Sequence, residues 1–428
     1  MDRKKVLAAL IALAAIIALA GLTVLSGCSS STSPTTSTSA TSQPASSTTT
    51  AAGGGKTQIV IGAINSLTGV NVLTAQEQKW AQEQAVKDIN DAGGIMFNGK
   101  KLPVKLVFED DQSTADGAAA AMEKLIKVDK VDLALSTNIT PLNEAAANVA
   151  DKYGIYFAIN TSWTDFIRKD AFKYATDMFF STSAAAEVPF KIWALYPADQ
   201  TPKHPAVLVE DNPDGQGFGA GFKASAPKYG YTLASYDAYT PGTKDYSSNI
   251  LKIKASGADA LFWLGSPPDG ITLIQQLKAQ NVNLKYIQGW KGFWDVQFPK
   301  ALGADANYTI HDGFWAASLG YPGSQKLSDE FVAAHNGTDS VSIGLTYASV
   351  QVVKMAIENA NSLDGMALRN AVAGHTFKGT TMGDVTFDSA GICETPSVAL
   401  QWWNGQREPV WPQSPNWQLK WMPPWNQR

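Results

Sequence analysis

Residues with reactive side-chain chemistry are few and scattered in this chain. The four histidines, His204, His311, His335 and His375, show no HExxH or His-x-His spacing, and no CxxC occurs, so the sequence offers no metal site. No Gly-x-Ser-x-Gly elbow marks a hydrolase nucleophile, although the members of a triad need not be close in sequence. One segment matches a cofactor pattern. Gly215-x-Gly217-x-x-Ala220 follows an expected strand, opens an expected helix and has Asp237 about twenty residues further on, which is the dinucleotide-binding fingerprint. An NAD-linked dehydrogenase is therefore an alternative, but a lone match of this kind is weak. The leader described next also carries the chain away from the cytosolic nicotinamide pool.

Arg3, Lys4 and Lys5 precede the apolar run Val6 to Leu25, which ends in Leu25-Ser26-Gly27-Cys28. A basic start, an apolar stretch and a small-residue cleavage site read as a signal peptide over residues 1–27. The Leu-Ser-Gly-Cys ending resembles a bacterial-type lipobox, in which Cys28 is acylated and becomes the new N-terminus. Several acyl chains on one residue anchor durably, at roughly 0.8 kcal/mol per buried CH₂. The following segment, 28–56, is almost entirely Ser, Thr, Ala, Pro and Gly, too poor in apolar side chains to fold, and reads as a flexible tether.

The 428 residues are 45% hydrophobic and 17% charged with a formal net charge of -4, which suits a soluble globular body and argues against a nucleic-acid partner. Only one cysteine besides Cys28 is present, Cys393, so redox chemistry and disulfides are not expected. From Thr57 onward short β-rich runs alternate with helical stretches, the pattern of βαβ units. Expected strands are Ile59 to Ile64, Val104 to Glu109, Leu133 to Leu135 and Ile155 to Ile159, separated by helices over Ala75 to Ala92, Thr114 to Lys127 and Leu142 to Tyr153. A second series has strands at Ala206 to Glu210, Thr232 to Ala238, Ala260 to Leu264 and Tyr286 to Gln288. Its helices are expected over Phe218 to Tyr229, Tyr246 to Ser256 and Gly270 to Gln280. The fold class is α/β, with two Rossmann-like lobes of parallel sheet and binding expected where loops leave the carboxyl ends of the strands. Two further helices, Ser340 to Ser362 and Met366 to Ala373, are expected to return to the first lobe. Gly383 to Phe387 and Val398 to Trp403 alternate like a hairpin. The tail holding Trp411, Trp417, Trp421 and Trp425 either packs along a lobe or presents a docking surface.

Several segments together resemble the branched-chain amino-acid-binding family of periplasmic binding proteins, type I fold, which serve ABC importers. They are Ile61-Gly62-Ala63 to Leu67-Thr68-Gly69, Ala85 to Asn90 with Gly93-Gly94-Ile95, Glu109-Asp110-Asp111, Asp211 to Gly217, Lys244 to Ser247, and Gly257 to Ala260. They occur in the right order over essentially the whole mature domain. The resemblance implies two lobes, 57–180 with 314–377 and 181–313 with 378–428, joined by three crossings near Phe180, near Gly313 and at Phe377 to Thr380. It implies a ligand in the cleft, hinge closure on binding, and no catalysis and no cofactor. The implied partners are an importer permease and the membrane reached through the lipid anchor, for a monomer outside the cytoplasm. An extracellular sensor for a membrane receptor keeps the fold and changes the role.

In this family, loops after two successive first-lobe strands hold a ligand carboxylate. The corresponding segments here are Ser136-Thr137-Asn138 and Asn160-Thr161-Ser162-Trp163, with Thr74 and Asp111 at the cleft edge and Ser266 on the second lobe. A loop feeding a helix N-terminus offers unpaired N–H groups to an anion, and the same residue types also serve as plain helix caps. Two departures bear on the ligand. Where the resemblance calls for an acid to pair an ammonium, the chain reads Gly289-Trp290-Lys291-Gly292, and Asp214 replaces a cleft aromatic. Either Asp214 takes the ammonium while Lys291 pairs with an acid, or the ligand lacks an amine and Lys291 binds an anionic or polar end. The second version is favoured from sequence, with Trp163, Trp263, Trp290, Phe293 and Trp294 available to stack on an apolar body.

Overall fold

The computed structural model describes residues 55–413 and 416–428. The expected signal peptide, Cys28 and nearly all of the tether lie outside the described residues.

Short runs of Val, Ile, Leu and Phe, apolar on both faces, can be buried only inside a sheet covered by helices on each side. The first half of the chain supplies such runs in β1 (Ile59–Asn65), β4 (Val104–Asp110), β5 (Leu133–Leu135), β6 (Phe157–Ile159) and β7 (Ala175–Phe179). Between them lie α1 (Val72–Asp91), α2 (Ala115–Lys127), α3 (Thr140–Tyr153) and α4 (Thr164–Asp170), while β2 (Ile95–Phe97) and β3 (Lys100–Leu102) form a small hairpin. Local chemistry marks the ends: the Thr114 hydroxyl accepts from Gly117 N–H at 3.0 Å to start α2, and Gly154, at a φ of 72°, stops α3.

The second series runs α5 (Thr182–Trp193), β8 (Pro205–Glu210), α6 (Pro213–Lys228), β9 (Ser235–Tyr239), α7 (Ser247–Ala255), β10 (Ala260–Gly265), α8 (Pro267–Ala279), β11 (Tyr286–Lys291), α9 (Gln297–Leu302) and β12 (Ile310–Gly313). After α10 (Ser324–Ala334) come α11 (Ile343–Ala360) and α12 (Gly365–Val372), then β13 (Thr376–Thr380), β14 (Gly383–Thr386), β15 (Ile392–Glu394), β16 (Val398–Trp403) and β17 (Gln406–Trp411). The sheets have the orders β15-β7-β6-β5-β1-β4 and β17-β16-β12-β11-β10-β8-β9. The first is parallel throughout, and the second is parallel from β9 to β12 with β16 and β17 added antiparallel. The fold is thus the α/β arrangement of two Rossmann-like lobes, and α11 packs on α1, as its apolar length suggested.

The chain leaves the first sheet after Phe179 and the second after Gly313. Its third passage, from β15 to β16, lies at Thr395–Ser397 rather than at Phe377–Thr380. Residues 376–386 are instead a hairpin of β13 on β14, so Gly383 to Phe387 does not pair with Val398 to Trp403. The strand expected from Thr232 begins only at Ser235, because the turn that ends α6 runs through Gly230 at a φ of 80°.

The carboxyl-terminal tail packs along the second lobe. Met422 N–H donates to Lys285 O at 3.0 Å, Trp425 Nε1 donates to Val282 O at 2.8 Å, and Gln401 exchanges two hydrogen bonds with the Lys420 backbone at 2.8 and 3.0 Å. Leu419, Met422 and Trp425 are buried. Trp425→Ala is expected to lower the unfolding free energy by about 3 kcal/mol, since it removes a buried indole and leaves a carbonyl unpaired; a urea titration followed by circular dichroism measures it.

Next to the first crossing, Asp177 of β7 is fully buried and neither carboxylate oxygen has a partner among the described residues. Burial first, and then the nearby Glu394 and Asp165, hold its carboxyl well above the usual carboxylate range. A carboxyl whose pKa is raised by folding binds more protons in the native than in the unfolded state, so stability is full at low pH and falls as pH rises above about 4. Asp177→Asn is expected to flatten that decline, raising the melting temperature at pH 8 more than at pH 4.5; equal shifts at both pH values would contradict it.

Candidate functional site

Parallel strands deliver their loops to one end of each sheet, and here the loops after β5, β6, β8 and β11 meet the crossing segments at a cleft. It encloses about 510 Å³ of empty space, part of it continuous with solvent.

The first-lobe wall is polar and uncharged. Asn138, Ile139 and Thr140 form the head of α3, which has no side-chain cap. The N–H groups of Ile139 and Thr140 carry no hydrogen bond among the described residues, so this helix end retains free donors and its positive dipole, and the Thr161 N–H in the loop after β6 is free as well. The Thr161 hydroxyl donates to Thr137 O at 2.6 Å and the Thr74 hydroxyl to Asn71 O at 3.2 Å, while Asn138 Nδ2 donates to Asn71 O at 3.2 Å. Behind this wall a buried network holds the loops. Ser136 Oγ donates to Asn160 Oδ1 at 2.5 Å, Asn143 Nδ2 to Ser162 Oγ at 3.0 Å, Thr137 Oγ1 to Asp111, and Ser66 Oγ to Asp111 at 2.6 Å.

The second-lobe wall carries charge. Lys291 ends β11 at a φ of 53°, and its Nζ lies 2.9 Å from both Glu210 Oε2 and Asp214 Oδ2. Burial pushes the lysine pKa down, but the two carboxylates outweigh it and the net shift is upward, so the cation is held firmly. A side chain at the next residue, Gly292, would place its Cβ 2.5 Å from Ser266 O and 2.6 Å from the Trp263 ring, which fixes glycine there. With two acids on one lysine, this wall has an excess of one negative charge. Farther out, Glu144 on α3 is pushed up to about 7 by burial and by the like charges of Asp170 and Asp214.

Trp163 ties the walls together. Its Nε1 donates to Asp214 Oδ1 at 3.2 Å, and its ring meets Phe218 of α6 at 4.9 Å and Phe179 at 5.2 Å. Phe179, Trp294 and Phe314 complete an aromatic enclosure, with Phe314 edge-on to both Phe179 and Trp294 at 4.7 Å.

Of the residues singled out from sequence, the cleft gathers Thr74, Asn138, Thr161, Trp163, Asp214 and Lys291, with Trp294. Ser136, Thr137, Asn160, Ser162 and Asp111 are buried in the supporting network instead. Ser266 stands at the first position before α8 without capping it, and its hydroxyl donates to Asp269 at 2.9 Å. Trp290 is wholly buried against Phe218 and Phe222, and Trp263 and Phe293 stack in the second-lobe core, so these three rings do not face the cleft. Sequence reasoning missed Gln78, Ile139, Thr140, Phe179, Phe314, Ser342 and Thr346 in the lining, and Glu210 behind it. Phe179 and Phe314 adjoin the expected crossings and could have been found there; Gln78 and Thr346 sit on helices that read as packing elements.

The dinucleotide fingerprint has a packing explanation. A Cβ at Gly215 would lie 1.8 Å from Glu210 O, and Gly217 faces Phe166 and Thr182. The head of α6 is capped by Asn212, whose Oδ1 accepts from Gly215 N–H at 2.9 Å, and flanked by Glu210 and Asp214, which would repel a pyrophosphate. Among the described residues no group of three or more His, Cys, Asp or Glu is placed to hold a metal ion, and no helix is long and apolar enough to cross a membrane.

The chain is similar to the Leu/Ile/Val-binding protein homolog 3 of Brucella melitensis, 26% identical over 351 residues that span 81% of this chain and 91% of the relative. An amino acid binding protein of Pseudomonas aeruginosa is 24% identical, over 81% of this chain and 90% of its own. Among solved structures, the branched-chain amino acid transporter substrate binding protein LivJ of Streptococcus pneumoniae, in complex with isoleucine, superposes with a TM-score of 0.72 at 21% identity, covering 82% of this chain and 99% of that one. A solute binding protein of an ABC transporter from Rhodopseudomonas palustris, in complex with 3,4-dihydroxy benzoic acid, gives 0.69 at 18% identity, covering 82% and 95%. A family model described as periplasmic binding protein matches residues 58–406, and with that span the chain belongs to the periplasmic binding protein family.

Proposed function

We propose that this protein is the extracytoplasmic receptor of an ABC importer, tethered to the membrane through acylated Cys28, which closes its two lobes over a zwitterionic amino acid and hands it to a permease. The carboxylate would lie at the uncapped head of α3, against the N–H groups of Ile139, Thr140 and Thr161 with Asn138 and Thr74 beside them. The ammonium would lie on Asp214, and the side chain between Trp163, Phe179, Trp294 and Phe314.

The observation that carries this reading is the pairing of Lys291 with both Glu210 and Asp214. It neutralises the cation that stands where the family has an acid, and leaves a net negative wall that attracts an ammonium. The version favoured from sequence, a carboxylate without an amine held by Lys291, would bring a third anion against a single cation whose charge Glu210 and Asp214 already outweigh. That version keeps one argument, the aromatic enclosure, which suits a flat ring; a relative in fold is solved with 3,4-dihydroxy benzoic acid. The names of the amino-acid-binding relatives support the zwitterion.

Calorimetric titration of the purified full-length chain with aliphatic and polar amino acids and with benzoate separates the two. Amino acids are expected to bind and benzoate not, with Asp214→Asn weakening amino-acid binding by about 2 kcal/mol, some thirtyfold; tight benzoate binding with no amino-acid binding sinks the reading. Cys28→Ser is expected to move the protein from the membrane fraction to the soluble fraction on cell fractionation, and retention in the membrane would overturn the lipid tether.

A further inference from the structure

Most polar side chains lining the cleft already have partners. Ser342 Oγ donates to Glu77 Oε2 at 2.7 Å, Thr140 Oγ1 accepts from Trp163 N–H at 3.1 Å, and Thr161, Asn138, Asp214 and Lys291 are engaged as described. Two do not follow this rule. Gln78 of α1 and Thr346 of α11 both line the cleft, are 2% and 1% exposed, and carry a buried Oε1 and a buried Oγ1 with no hydrogen-bond partner among the described residues. The two helices that bear them pack on each other at the first-lobe side.

The orientation of the Gln78 amide is fixed by its surroundings. Its Nε2 donates to Ser136 O at 2.8 Å and to Thr137 O at 3.2 Å. Flipping the amide would set its oxygen against two carbonyl oxygens, so Oε1 is the free atom and it is an acceptor. Thr346 Oγ1 both donates and accepts, and in this helix it makes no bond back to the preceding turn. Buried polar atoms are nearly always paired, and an unpaired set in a binding cleft is where a ligand's own polar group completes the pairing.

We propose that the cleft selects amino acids whose side chain ends in a neutral hydrogen-bonding group, a carboxamide or a hydroxyl, with Gln78 Oε1 accepting from it and Thr346 Oγ1 supplying the complementary donor. This rests on the zwitterion reading of the same cleft and adds the side-chain class. An acceptor and a hydroxyl on one cleft lining match an amide, which offers N–H and C=O together. A purely aliphatic side chain fills the aromatic enclosure but leaves both atoms unmet, and sites built to pair a polar group reject analogues that lack it. A charged end is not matched either, because Gln78 and Thr346 bring no countercharge.

The test is calorimetric titration of the full-length chain with L-glutamine, L-asparagine and L-threonine against L-leucine and L-isoleucine, in the wild type and in Thr346→Val, Thr346→Ser and Asp214→Asn. At least one polar amino acid is expected to bind ten times or more tighter than both aliphatic ones. Thr346→Val should lose about tenfold for that ligand while leucine changes less than twofold, and Thr346→Ser should restore the preference. A thermal melt of Thr346→Val near the wild-type value excludes misfolding as the cause. Tighter binding of leucine or isoleucine than of all three polar ligands, or equal losses for both classes in Thr346→Val, overturns the proposal. If amino acids bind and depend on Asp214 but Thr346→Val is indifferent, the side-chain inference alone falls; if no amino acid binds, the zwitterion reading falls and this inference with it.

Discussion

Parallel pairing is the constraint on which this architecture depends. Strands that run the same way must be linked by crossovers, so every turn that enters a helix lies at the same end of its sheet. Here those ends face each other, and the amino end of α3 on one side confronts Glu210, Asp214 and Lys291 on the other. A positive dipole with free N–H groups stands opposite an excess negative charge, and the polarity of the cleft follows from where the chain enters and leaves its strands. The aromatic residues Phe179 and Phe314 end or follow the last strand before each of two crossings, so the same segments that connect the lobes also wall the cleft.

The interlobe contacts add to this. Trp163 belongs to a first-lobe loop, yet it donates to Asp214 and packs on Phe218 of the second lobe. Asp214 thereby receives one hydrogen bond from across the cleft and one from Lys291, and remains part of the lining. The acid is thus oriented by groups from both sides. Buried charged pairs of this type contribute more to geometry than to net stability.

Much of the framework was legible because its signals are local. The run Ile59 to Ile64, the strand Leu133 to Leu135 and the helix after Thr114 each carry their own periodicity or cap. Pairing partners are not local. The alternation of Gly383 to Phe387 shows which face is buried but not that β13 is its neighbour, and so the third crossing was placed too early. The same holds at the site. The lysine at 291 was visible as a conflict, but Glu210, which resolves it, lies 81 residues away in the chain. Trp290 and Trp163 are indistinguishable by residue type, and only the fold puts one in a core and the other on the cleft. Ser136, Thr137, Asn160 and Ser162 were found in the right place with a different task, since hydroxyls and amides that brace a loop look in sequence like those that touch a ligand.

The late position of β15 has a further consequence. The edge strand of the first sheet comes from residues 392–394, and α11 and α12, which cover that lobe, come from 343–372. The outer strands of the second sheet follow at 398–411. Neither half can therefore finish its own core while the chain is still being made, and the two mature together only once nearly the whole polypeptide has emerged. Such long-range wiring makes folding slower than it would be for two consecutive, self-contained modules.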